Sequence, residues 1–109
     1  MIDLTPGQRD TVERILGEHV PECDVWVFGS RIAGATKPYS DLDLAIVGDS
    51  ELAPDVIRRL REAFEESELP FRVDVLDWYA TSPEFQAVIE RRFEVVQARR
   101  APPLSRLDR

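Results

Sequence analysis

Val25-Trp26-Val27-Phe28-Gly29-Ser30-Arg31, followed after a Gly- and Pro-containing interval by Ser40-Asp41-Leu42-Asp43-Leu44-Ala45-Ile46-Val47, is the stretch on which the fold turns. Asp24 to Phe28 is a run of β-branched and aromatic residues that reads as a short buried strand, ended by Gly29. Asp41 to Val47 reads as a second strand, closed by Gly48 and Asp49. Side chains alternate across a strand. Asp41 and Asp43 therefore share one face, while Leu42, Leu44 and Ile46 point the other way, into a core. Two carboxylates ~7 Å apart on one strand face repel each other unless positive charge sits between them. A hard divalent cation that prefers oxygen supplies that charge.

Outward from this pair, the chain reads as alternating helices and strands. Thr5 is a good N-cap, Pro6 suits a first helical position and Gln8 completes a capping-box pattern, so a helix is expected over Pro6 to His19 with Val12, Ile15 and Leu16 inward. His19 at its end is expected to rest against the core or the helix dipole. Ala53 to Ser67 carries an apolar stripe of Val56, Ile57, Leu60, Ala63 and Phe64 and predicts a second helix. Pro70 precedes a third strand, Phe71 to Asp77. Ser82 and Pro83 open a last helix whose expected buried face is Phe85, Val88, Ile89 and Phe93. Phe93 to Gln97 reads equally as the end of that helix or as a strand. The order predicts an α/β domain, a small mixed sheet with helices packed on it.

A third acid belongs with the pair. Asp74 lies mid-strand between Val73 and Val75, a costly place for a carboxylate without a partner. Arg72 or a backbone amide could satisfy it. If its strand lies beside Asp41 to Val47, Asp74 joins one cluster, and three acids can hold two cations of the kind that clamp attacking and leaving oxygens in phosphoryl transfer. Gly29 lets a backbone approach a phosphate closely. A helical turn starting near Ser30 would present N–H groups and a hydroxyl to triphosphate oxygens, with Arg31 adding positive charge. A Gly-Ser dipeptide alone is usually a turn, and a D-x-D pair alone is usually a cap or solvated charge. Their ordered conjunction on strand ends is what points to chemistry. Asp24 and Asp77 read as structural strand-end acids.

The bulk numbers bound the rest. A chain of 109 residues fits one domain. Its 43% apolar and 32% charged residues are a globular balance, and no apolar run approaches the ~20 residues of a membrane span. Cys23 stands alone, so neither an internal disulfide nor a cysteine-rich zinc site is expected. With no apolar leader at the N-terminus, the expected setting is cytoplasmic. Residues 1–98 are expected to form the domain and residues 99–109 a mobile tail. The tail's four arginines and one aspartate make +3 of the formal −7, leaving −10 on the body. Such a body repels a nucleic-acid backbone and attracts cations and basic partners.

Gly29-Ser30-Arg31, then Gly34, then Tyr39-Ser40-Asp41-Leu42-Asp43-Leu44-Ala45 resembles the signature of the DNA polymerase beta-like nucleotidyltransferases, and the short chain resembles their minimal nucleotidyltransferase (MNT) branch. The resemblance covers roughly Val25 to Val96. It implies that Asp41, Asp43 and Asp74 are catalytic and ligate two Mg2+ ions, Mn2+ being an alternative. It implies that Gly29, Ser30, Arg31 and Ser40 bind the nucleotide, with ATP as substrate. It departs from the family at Ala33, where a second basic residue is common. The MNT branch is similar to the antitoxin half of paired systems whose partner is a small helical HEPN-type toxin, so the implied activity is transfer of AMP to a tyrosine of that partner. Two other readings share these residues: an MNT-fold antitoxin acting by contact alone, and transfer to a small molecule. Neither direct nucleic-acid binding nor membrane association is expected.

Overall fold

The computed structural model describes residues 2–33 and 40–99. Gly34 and Tyr39 of the motif, and all of the predicted tail beyond Arg99, lie outside them. Helix α1 (Pro6–His19) opens as expected: the Thr5 hydroxyl accepts from the Gln8 N–H at 3.1 Å, and the Gln8 side chain accepts from the Thr5 N–H at 3.0 Å. Strand β1 (Asp24–Phe28), a single helical turn α2 (Ser30–Ala33), β2 (Leu42–Val47), α3 (Pro54–Glu65) and β3 (Val73–Asp77) follow. A 3-10 turn at Trp78–Ala80 leads to α4 (Pro83–Arg91) and β4 (Glu94–Gln97).

The sheet is mixed, in the order β3-β2-β1-β4. β1 runs antiparallel to β2 and β4, whereas β2 and β3 are parallel, joined through α3. Helices α1 and α3 cover one face. There Leu42, Leu44 and Ile46 of β2 meet Val25 and Val27 of β1, Leu16 of α1 and Leu60 of α3, all fully buried. The opposite face carries a smaller cluster of Ala45, Val47, Trp78 and Ile89. Trp26 joins it, edge-on to Trp78 at 5.0 Å and stacked on Phe93 at 4.2 Å. Because α3 and α4 pack on opposite faces, β2 is buried on both sides and reads as a nearly continuous apolar run with one acid in it, Asp43.

The open choice at Phe93 to Gln97 resolves as a strand. Arg92 leaves the helix in extended conformation (φ −160°), and β4 pairs with β1. The Gln97 side chain donates to the carbonyls of Val20 and Cys23, at 2.9 and 3.0 Å. Arg99, placed by the sequence at the head of the tail, is tied down: its N–H donates to Asp24 at 2.6 Å and its guanidinium pairs with Asp49.

The face expected of α4 needs correction. Ile89 is buried, but Phe85 and Val88 are 40% and 51% exposed, and Phe93 packs from beyond the helix. α4 covers only a small part of the sheet, around Trp26, Trp78 and Phe28, so of its side chains only Ile89 is buried. Cys23 is buried. Among the described residues no helix is long and apolar enough to cross a membrane.

Asp77 shows why some acids in this chain are structural. It is 8% exposed, and its carboxylate accepts from the Leu52 N–H at 2.7 Å and the Tyr79 N–H at 3.1 Å, pinning the loop before α3 to the end of β3. Asp77→Ala leaves two part-buried donors without their acceptor and is expected to destabilise the chain by about 1–3 kcal/mol in urea unfolding. A loss under about 0.5 kcal/mol would show that water replaces the carboxylate at no cost.

Candidate active site

The parallel pairing of β2 with β3 sets Asp43 and Asp74 side by side, as direct register partners. Both are half-buried and lie on the α4 face of the sheet, opposite the side chains of Leu42 and Leu44. Asp41 stands one residue before β2, on the exposed rim. Gly29 ends β1 next to Phe28, the antiparallel partner of Asp43. The three acids and the Gly29 turn thus collect at one end of the sheet although they come from three strands.

Gly29 has a positive φ of 85°, the left-handed region that only glycine occupies cheaply. A Cβ built there would come within 2.3 Å of a carboxylate oxygen of Asp43. The missing side chain therefore has two reasons: it permits the turn into α2, and it makes room for the acid. Ser30 begins α2, meeting the condition set for phosphate contacts at this turn, and the Ile32 N–H closes the turn on the Gly29 carbonyl at 3.2 Å.

Electrostatics mark Asp43. Its pKa is pushed from the ordinary 3.8 to about 6, by burial first and then by the like charges of Asp74 and Asp41, with Arg72 opposing them. Among the described residues Arg72 is the cation paired with these acids. Its guanidinium lies 3.3 Å from Asp74 and 3.9 Å from Asp41, with its side chain 74% exposed. Among the described residues no three acid, His or Cys side chains close into a metal cage by themselves. The donor set, all carboxylate oxygen, is nevertheless what Mg2+ takes when substrate phosphates and water supply its other ligands.

Arg31 is placed otherwise than the sequence suggested. It is 4% exposed, its guanidinium donates to the Ser40 carbonyl at 2.9 and 3.0 Å and to the Asp3 carbonyl at 2.9 Å, and it lies 3.9 Å over the Phe71 ring. In this structure the guanidinium faces the interior and these carbonyls. What it does there is hold Ser40, and hence the approach to Asp41, against the N-terminal segment. Ser40 contributes its carbonyl to that clamp. The side chain of Ala33 lies outside the described residues.

Sequence reasoning missed two features. Arg61 of α3 donates to the Val75 carbonyl on the outer edge of β3 at 2.9 Å, a contact across the crossover with no periodic signal. Phe28 and Phe85 meet edge to face at 5.9 Å, and both line a cavity of about 810 Å³ that Asp43 and Asp74 also line.

Comparison with known proteins follows the same lines. The family model described as "Polymerase beta, Nucleotidyltransferase" matches residues 11–101. A protein of Haemophilus influenzae described as "Probable protein adenylyltransferase MntA" is 46% identical over 96 residues, 88% of this chain and 84% of its own. Two solved complexes share the fold. One, described as a toxin-antitoxin with AMP-PNP, aligns with a TM-score of 0.70 at 20% identity, over 83% of this chain and 73% of that one. The other, described as a tri-AMPylated Shewanella oneidensis HEPN toxin with its MNT antitoxin, aligns with a TM-score of 0.57 at 18% identity, over 83% and 69%.

The acid pair has a pH signature with a defined sign. Unfolded, Asp43 ionises near 3.8; folded, near 6. Between those values the folded state holds a proton that the unfolded state has lost, so stability falls as pH rises through the window. In chelator-containing buffer, Asp43→Asn is expected to flatten this slope. It should gain on the order of 1 kcal/mol over wild type near pH 7.5 compared with near pH 4, after discounting for screening of a half-exposed group. Parallel stability–pH curves for the two proteins would contradict the assignment. Gly29→Ala is expected to cost about 1–2 kcal/mol or more for the left-handed backbone alone. Gly17→Ala, where an added Cβ meets nothing within 4 Å, should instead gain up to about 1 kcal/mol. Equal melting shifts for the two variants would remove the special status of the Gly29 turn.

Proposed function

The chain belongs to the polymerase beta nucleotidyltransferase family, and from that premise we propose that it transfers AMP from ATP to a tyrosine of a small helical HEPN-type partner, silencing that partner as its antitoxin. The observation that carries this reading is the register pairing of Asp43 with Asp74 beside the Gly29 turn. It sets acid oxygens next to a backbone that a phosphate can approach. The 46% identity to a protein named as a probable adenylyltransferase supports the choice of protein acceptor.

In this reading Asp41, Asp43 and Asp74 hold two Mg2+ ions, or Mn2+. When bound, the ions offset the charge on the reacting phosphate and make a phenol of pKa ~10 a better nucleophile. Gly29 and Ser30 hold the triphosphate tail through backbone N–H groups and the hydroxyl. Arg31 and Ser40 act from behind by fixing the chain that enters Asp41. The phenol oxygen attacks the α-phosphorus, an O–P bond forms, the bond to the β-phosphate breaks and pyrophosphate leaves. Asp74, on the side away from Gly29, accepts the phenol proton in this reading. The −10 body favours a partner with a basic surface, as expected of a protein that handles RNA. One or more AMP units are added.

The test is intact-mass spectrometry of the paired HEPN-type protein after incubation with ATP and magnesium. Wild type should add one or more AMP masses; Asp41→Ala combined with Asp43→Ala should add none while keeping a folded circular-dichroism spectrum. No added mass with wild type, together with a tight stoichiometric complex that silences the partner, would sink the enzyme reading in favour of inhibition by contact.

A further inference from the structure

Helices α1 and α3 complete their solvent faces in the same way. Arg9 pairs with Glu13 and Arg14 with Glu18 along α1; Asp55 pairs with Arg59 and Arg58 with Glu62 along α3. Each pair stands at the i,i+4 spacing that stacks side chains on one helix face. On α4 the corresponding partner of Glu84 is Val88, and among the described residues no ion pair forms on that helix. Its outer face carries Phe85, Ala87 and Val88 instead. Phe85 and Val88, at i,i+3, are neighbours there.

The contrast extends beyond α4. Among the described residues the large apolar side chains left exposed are Tyr79, Phe85, Val88 and Val95, and all lie in the segment from the Trp78–Ala80 turn to β4. Val95 is the register partner of Trp26, whose side chain belongs to the cluster beneath α4, so Val95 stands on that same face of the sheet. The α1–α3 face is solvated by paired charge; the α4 face is left apolar, as interaction surfaces are.

What can cover this face is constrained by where it leads. Phe85 is exposed and also lines the cavity that Asp43 and Asp74 line, so the patch begins at the rim of the acid site. A second copy of this chain seated on Phe85 would stand across that rim, and two bodies of −10 repel each other. A basic acceptor protein meets neither obstacle. The acidic body attracts it, and docking on α4 brings its own side chain to the cavity rather than closing it. We propose that the outer face of α4, with Phe85 and Val88 at its centre and Val95 at its margin, is where the acceptor protein docks, through an apolar strip on one of its helices rimmed by basic residues. This rests on the reading above for the partner's identity and adds where that partner sits. The partner's strip covers Phe85 from outside, and its acceptor side chain enters the cavity beside that ring.

The test mixes the full chain with the paired HEPN-type protein in the absence of ATP, so that binding is read without transfer. Amide hydrogen exchange should slow across α4 in the complex and stay unchanged across α3. Val88→Asp sets a charge at the centre of the contact, and Phe85→Ala removes its ring; each should weaken the complex at least about tenfold, as changes at an interface centre do. Arg59→Ala, on the ion-paired face of α3, should change it by less than about twofold. Val88 is exposed, so Val88→Asp should melt with wild type, and the exchange pattern carries the test without any variant. Protection on α1 or α3 in place of α4, or undiminished affinity in both α4 variants, overturns the docking surface. A stable dimer of the chain alone that Val88→Asp dissolves also overturns it, giving the face to a second copy. The transfer reading fails separately. A partner held through α4 that gains no mass with ATP and magnesium keeps the surface and loses the transfer; one that gains mass while shielding another face keeps the transfer and loses the surface.

Discussion

Two carboxylates held abreast on neighbouring parallel strands repel each other, and the rest of this structure is arranged around that repulsion. Asp43 sits half-buried within an otherwise apolar strand that is covered on both faces, so it is less fully solvated than a surface acid. Asp74 is fixed opposite it by the same ladder that builds the core. Moving either acid away would mean slipping the register of β2 against β3, and a one-residue slip would turn Leu42, Leu44 and Ile46 out of the core. The burial that stabilises the sheet thereby holds the charges together. Burial first, and the like charges of Asp74 and Asp41 after it, raise the pKa of Asp43 to about 6.

The surroundings treat charge in two ways. Charges that build the frame are buried and fully engaged: Arg31 on the carbonyls of Asp3 and Ser40, Asp77 on the N–H groups of Leu52 and Tyr79. They lock the segments that lead into Asp41 and out of β3. Charges at the site are half-exposed and loosely matched. Arg72 lies at 3.3 and 3.9 Å from its acids on a largely exposed side chain, a pairing that solvent weakens. A rigid frame with an unsatisfied centre is what a cation- and phosphate-binding site requires, since positioning and charge stabilisation carry most of phosphoryl transfer.

The two ends of the acid pair differ in kind. Toward Gly29 the wall is bare backbone, with no room for a side chain. Toward β3's outer edge it is a cavity with arginine and aromatic lining. Glycine suits close packing of phosphate against main chain; a roomy, mixed wall suits a second reactant of less fixed shape. The asymmetry follows from topology, because β1 covers one side of β2 while β3 is an edge strand.

What the sequence determined by itself was local or periodic. The Thr5–Gln8 capping box, the alternation of Leu42, Leu44 and Ile46, the stripe of α3 and the glycine at the end of β1 are each written in neighbouring residues, and each holds in the structure. Asp41 and Asp43 were legible as a pair because strand alternation alone puts them on one face. Only tertiary structure decided matters that depend on which element lies beside which. It set Asp74 against Asp43 through a parallel crossover, and made Phe93 to Gln97 a strand because β1 had an edge to pair. It left Phe85 and Val88 exposed because α4 meets so little of the sheet. Arg31 is the clearest case: a basic residue after Gly-Ser reads as a phosphate contact, yet the N-terminal segment and Phe71, distant in sequence, enclose it. A residue's type sets what it can bind; the partners within reach, fixed by packing of remote segments, set what it does bind.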